Sequence, residues 1–178
     1  VPEVTIVFEN TLYRGNRTYK YNAENFNAFV SSNYPKLADA GVSLKFRKEW
    51  IHSPRFKKLK LITEFDQNVA ILKLFPGMQA SYVEAVFTIP KLRAVIIETF
   101  GSGNATTQKW FIDALKKANE KGIIMVNISQ CLAGKVEMGK YDTSVMLKDA
   151  GLISGRDLTT ASAVTKLMLS LGMSDDKN

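Results

Sequence analysis

A chain of 178 residues that is 46% hydrophobic and 23% charged has an ordinary globular composition, which excludes a disordered or a membranous protein. A single cysteine excludes an internal disulfide, and the longest apolar runs, such as residues 94–97 and 123–126, fall far short of the roughly 20 residues that span a bilayer. The formal net charge of +7 is concentrated in residues 45–60, where Lys45, Arg47, Lys48, Arg55, Lys57, Lys58 and Lys60 stand against Glu49 alone.

The chain opens on "PEVTIVFE" directly after Val1, with no initiator methionine and no leader, so a removed signal peptide would leave no trace here. Cysteine usage makes the cytoplasm the default expectation. Residues 4–9 and 11–15 read as two strands joined at Asn10, followed by a short helical stretch over 23–29. Two strands cannot bury their own faces in water, which implies missing partners and a chain that begins inside a domain. From Ser31 to about Gln67, turn residues, Pro35, Pro54 and the basic tract predominate. The reading is therefore the end of one domain over 1–30, a basic connection over 31–67, and a second domain over 68–178. Trp50 and Phe56 interleave with the cations, a pattern compatible with nucleic acid. A protein that lived by binding phosphates would show basic residues beyond one short tract, so a solvated connection is the preferred reading and nucleic acid is not an expected partner.

The second half alternates strands and helices. Residues 69–75 (VAILKLF) form a strand-like run before Pro76-Gly77 and a helical stretch over 79–87. Residues 93–99 form a second strand, followed by the glycine turn "GSGNA" and a helix from about Thr106 to Asn119. Residues 123–128 form a third, followed by a long polar loop, and a final helix runs over 159–171. In the middle helix Trp110, Phe111, Ala114, Leu115 and Ala118 share one stripe, while Lys109, Lys116, Lys117 and Glu120 fall off it. Such alternation predicts right-handed crossovers and a parallel, flavodoxin-like three-layer α/β domain, preceded by the last strands of an N-terminal α/β domain.

Chemistry has few places to reside. His52 is the only histidine and lies in the basic tract, so neither a Ser-His-Asp triad nor a histidine metal cluster is expected. Cys131 reads as a structural thiol rather than a nucleophile. The strand–GSGNAT–helix stretch lacks the third glycine of a dinucleotide loop and the Lys-Ser or Lys-Thr of a nucleotide P-loop. Two polar clusters remain, "LYRGNRTYKYNAENF" and "NISQCLAGKVEMGKYDTS". Lys20 in the first is either a solvated charge or, if buried beside a carboxylate, a proton donor or acceptor.

The blocks "VPEVTIVFENTLYRGNRTYKYNAENFNAFVSSNYPKLADAG", "LFPG", "ETFGSGNA" and "NISQCLAGKVEMGKYDTS", in this order, resemble the later part of the bacterial type I (cytoplasmic) L-asparaginase family. The resemblance implies a homodimeric or homotetrameric amidohydrolase that converts L-asparagine to L-aspartate and ammonia without metal or organic cofactor. It implies a threonine nucleophile and a proton-relay triad of threonine, aspartate and lysine, the lysine being Lys20. The TGGT and GTDT motifs that carry the threonines and the aspartate do not occur in this sequence, and "NATT" and "LTTAS" lack their flanking glycines and aspartate. The chain alone is therefore expected to be inactive, and its end to be short of the family's final helix. The resemblance also implies that Asn104 presents its amide to the substrate in a neighbouring subunit. A helix cap is the alternative for that residue, and both can hold.

Some members of the family bind a second asparagine as activator. Here Tyr19 and Glu98 stand where the resemblance implies a threonine and an arginine of that pocket, and Cys131 matches a lining residue. A carboxylate in place of the arginine predicts that activation is absent. Two rival readings remain: the asparaginase-like subunit of a tRNA-dependent amidotransferase, and a non-catalytic ligand-binding or interaction domain.

Overall fold

The segment AVIIET, residues 94–99, is apolar along nearly its whole length, so both of its faces need cover. In the computed structural model, which describes residues 1–53, 58, 60–139 and 142–174, all six of these residues are buried in one strand. The chain divides into two compact units, Val1–Thr63 and Glu64–Asn178.

In the second unit, β7 (Val69–Lys73), β8 (Ala94–Thr99), β9 (Ile124–Ser129) and β10 (Leu152–Ser154) form a wholly parallel sheet in the order β10-β9-β8-β7. Because the order follows the sequence, every crossover advances the same way and its helix falls on the same face. That face carries α1 (Ala80–Phe87), α2 (Lys109–Glu120) and α3 (Asp142–Asp149). Leu72, Val95, Ile97 and Met125 pack there against Val83, Phe87, Phe111, Leu115 and Leu147. The alternate residues Ile96, Val126 and Ile128 turn to the other face, where Ala163, Val164 and Leu167 of α4 (Thr160–Met173) cover them. Thr159 starts that helix, its side chain accepting from the Ser162 N–H at 3.1 Å. The parallel three-layer α/β arrangement expected from the sequence is the one the second unit adopts.

Two expectations for this unit are corrected. Residues 130–158 are not simply a polar loop, since they include α3 and β10. The helix after the glycine turn starts at Lys109, because the Thr106 Oγ1 accepts from the Gln108 N–H at 3.3 Å and keeps the preceding residues in a turn.

The first unit is built on β1 (Thr5–Phe8) and β2 (Thr11–Arg14), an antiparallel hairpin. Residues 31–67, expected to be a connection of turns, contribute β5 (Ala38–Ala40) and β6 (Leu44–Phe46), which extend that hairpin into a four-stranded antiparallel sheet, β1-β2-β5-β6. The stretch read as connection thus adds two strands to the hairpin's edge, while Val7, Leu44 and Phe46 of the sheet stay exposed. A second, two-stranded sheet pairs β3 (Tyr19–Lys20) with β4 (Phe29–Val30). The helix expected over 23–29 does not form. The Asn22 Oδ1 accepts from the N–H groups of Glu24 and Asn25, at 2.8 and 3.0 Å, and this side-chain turn displaces the helical hydrogen bonds. Arg55, Phe56 and Lys57 of the basic tract lie outside the described residues. Within the described part, Arg47 pairs with Asp39 at 3.1 Å.

Candidate functional site

Ligands of parallel α/β sheets gather at the carboxyl ends of the strands, and in the second unit those ends are bound tightly to one another. Gln130, just past β9, donates through Nε2 to the carbonyls of Leu74 (2.6 Å) and Glu98 (2.8 Å), which joins the ends of three adjacent strands.

The glycine turn leaves β8 here. It closes on itself through Phe100 N–H to Asn104 O (2.9 Å) and Asn104 N–H to Phe100 O (2.8 Å). Its other carbonyls are all engaged: Gly101 O accepts from Ser129 Oγ (2.5 Å), Ser102 O from the Glu137 N–H (3.0 Å), and Gly103 O from Asn127 Nδ2 (3.2 Å). Gly103, at φ +111°, cannot be replaced cheaply, because an added Cβ would sit 2.8 Å from Val136 Cγ1.

Asn104 does not cap α2, whose N-cap is Gln108. Its Oδ1 instead accepts from Thr143 Oγ1 on α3 at 2.9 Å. The amide's Nδ2 and the N–H groups of Gly101 and Ser102 have no hydrogen-bond partner among the described residues. A surface whose acceptors are occupied and whose open groups are donors suits an oxygen acceptor such as a carboxylate or a carbonyl.

Glu98 and Cys131 flank this region with different outlooks. Glu98 is 8% exposed and faces α4, accepting from Thr160 Oγ1 at 2.5 Å, with Lys73 Nζ at 3.6 Å. Cys131 is exposed, its N–H donating to Ser129 Oγ at 2.9 Å, so it is not part of the packed core.

In the first unit, Lys20 lies on β3 opposite Phe29 and is exposed, while Tyr19 is half-buried opposite Val30. Close by in sequence is a cluster that the sequence reading did not identify. Arg14 forms a two-pronged ion pair with Glu3 (Nε–Oε2 2.5 Å, Nη2–Oε1 3.0 Å) and lies 4.1 Å over the Tyr34 ring. Tyr34 and Arg14 both donate to Trp50 O, and the His52 N–H donates to Glu3 at 2.7 Å. The hydrogen bond from Arg14 holds the Glu3 carboxyl below its ordinary value, and Glu3 in turn raises Arg14. The charges satisfy each other, so this cluster secures the fold of residues 3–52 rather than offering free acid–base groups. The sole histidine enters it through its backbone N–H and, more weakly, through its charge, both favouring the Glu3 carboxylate. Among the described residues, no three His, Cys, Asp or Glu side chains converge to hold a metal ion, and no helix is long and apolar enough to cross a membrane.

The chain matches two family models in succession: "Asparaginase, N-terminal" over residues 1–52 and "Glutaminase/Asparaginase C-terminal domain" over residues 68–178. It is 38% identical over 168 residues to L-asparaginase 1 of Escherichia coli strain K12, covering 94% of this chain and 49% of the relative. It is 39% identical over 173 residues to the 60 kDa lysophospholipase of Mus musculus, covering 97% of this chain and 30% of that protein. The crystal structure of L-asparaginase I from Vibrio cholerae superposes with a TM-score of 0.89 at 37% identity, covering 97% of this chain and 52% of that one. The chain thus spans about half the length of the bacterial proteins it matches.

Proposed function

Because the chain belongs to the glutaminase/asparaginase family, we propose that it forms the C-terminal portion of an L-asparaginase whose complete form hydrolyses L-asparagine to L-aspartate and ammonia. The observation that carries this reading is the match of both family models, in order, along one chain that is 38% identical to a bacterial L-asparaginase.

In this reading a hydroxyl supplied from sequence outside these residues attacks the amide carbon, the C–N bond breaks and ammonia leaves, and water then releases aspartate and restores the hydroxyl. Lys20 belongs to the relay that carries the proton from the attacking oxygen toward the leaving nitrogen. Lys20 is exposed on its short strand, so the role requires that groups contributed from sequence outside these residues enclose its amine and favour the neutral form. Asn104 donates to an oxygen of the amino acid, in the active site of a neighbouring subunit of a homo-oligomer. The chemistry needs no metal or organic cofactor.

Replacing Lys20 by Met in the full-length enzyme is expected to cut turnover by about 10²–10⁴-fold with circular dichroism unchanged; unaltered turnover refutes the assignment. The isolated 178-residue chain is expected to release no ammonia from asparagine, and release at the full-length rate overturns the reading. Mixing subunits that carry Lys20→Met with subunits that carry Asn104→Ala should restore part of the activity if the two residues serve one site from different subunits.

The absence of a second, activating asparagine site belongs to the same reading. Glu98 already engages Thr160 and the nearby Lys73, so a ligand carboxylate would meet like charge there instead of a cation. Rates of the complete enzyme are expected to follow a hyperbola in asparagine. A sigmoidal curve abolished by substituting Glu98 or Cys131 would contradict this.

A further inference from the structure

Behind the glycine turn lies a polar side chain closed to solvent. Asn127, in the middle of β9, is 0% exposed, a polar residue where its strand neighbours Val126 and Ile128 are apolar. Thr99, also 0% exposed, donates its hydroxyl to the Asn127 Oδ1 at 2.6 Å. The hydroxyl also lies 3.2 Å from Ile128 O, and the acceptor-only Gly103 carbonyl decides which end of the carboxamide faces the turn: Nδ2 points to Gly103 O at 3.2 Å and to Met138 Sδ at 3.3 Å. A flipped amide would set two oxygens against each other at Gly103 in a site closed to water, at the full cost of an unsatisfied buried acceptor. The fit is mutual, because a Cβ at position 103 would meet Asn127 Nδ2 at 3.3 Å.

We propose that Asn127, anchored through its amide oxygen by Thr99, is a positioning residue: acting through Gly103, it holds the turn in the one placement that aims the Asn104 amide at the substrate. This rests on the reading of Asn104 as a substrate contact. Thr143, on the far side of Asn104, completes the support by engaging the amide oxygen and leaving its nitrogen free to donate.

The test uses the full-length enzyme with asparagine as the probe. Thr99→Val removes the hydroxyl at nearly constant volume, and Asn127→Asp removes the donor to Gly103. Each is expected to raise KM about tenfold with kcat within about threefold, and Thr99→Ser, which keeps the hydroxyl, is expected to restore the parent KM. In an Asn104→Ala background Thr99→Val should add no further rise. An equal rise in both backgrounds, or an unchanged KM in Thr99→Val, overturns the positioning role while leaving Asn104 a substrate contact. If Asn104→Ala itself leaves KM unaltered, the underlying reading of the site fails instead. Should Asn127→Asp not fold, the Thr99 pair decides alone.

Discussion

The two units solve the problem of covering a sheet in opposite ways. In residues 64–178 helices close both faces, and the buried side chains form two continuous cores against one sheet. In residues 1–63 only Ala28, Leu37 and Ala38 are buried apolar residues among those described, while Val7, Leu44 and Phe46 stand exposed along the antiparallel sheet. Cohesion there comes from a charged and aromatic cluster, Glu3, Arg14, Tyr34 and Trp50. Among these residues the contrast is between a unit in which apolar burial is extensive and one joined by a few directional contacts that are individually weak in water.

The strongest attempt to break that contrast is Phe111→Ala, which empties a fully buried site on α2 and is expected to cost about 3–5 kcal/mol in urea unfolding. A loss under about 1 kcal/mol would deny the second unit its core. Glu3→Gln removes one partner of a part-buried ion pair and is expected to cost about 1 kcal/mol. The loss should be local: hydrogen exchange at Gly15 and Leu37 accelerates while the amides of β8 and β9 keep their protection. Equal acceleration in both units would break the comparison.

Acid sharpens it further. Glu3 is held low by the Arg14 hydrogen bond, and Asp66 by the Asn68 N–H and then by Arg93. Carboxylates depressed on folding contribute stability in full above their ordinary values of 4.5 and 3.8, and lose it as pH falls through the lowered ones. Both units therefore weaken below about pH 4, the first one earlier because no core remains to hold it. The chain has two tryptophans, Trp50 in one unit and Trp110 in the other, so fluorescence of Trp110→Phe and Trp50→Phe variants follows each unit separately. Coincident acid transitions would contradict the expectation. The smallest effect belongs to Lys109→Met, which removes the exposed Lys109–Asp113 pair on α2; no change in the urea midpoint is expected.

The two units also differed in how openly their sequences declared them. β7, α1, β8, α2, β9 and α4 were legible because each carries its own periodicity, with boundaries off by no more than three residues. β5 and β6, by contrast, are three residues each and owe their existence to pairing, β5 with β2 and β6 with β5, a fact absent from ADA and LKF themselves. α3 hid in DTSVMLKD, where only Leu147 among the apolar residues is buried and Val145 and Met146 face outward. At the site, the glycine turn and Asn104 stood out by composition. Asn127 did not, although its signal was present: one carboxamide inside the otherwise apolar run IMVNI. The Glu3–Arg14 pair was illegible because its partners are eleven positions apart and only the hairpin brings them together.

Because every crossover of the parallel sheet lies on one side, the opposite side waits for α4 alone. On the ribosome, Ile96, Val126 and Ile128 would stay wet until residues 160–173 had cleared the exit tunnel, so this face of the sheet should acquire its native packing only once that helix emerges, and nascent chains stalled before it should be the ones that chaperones retain.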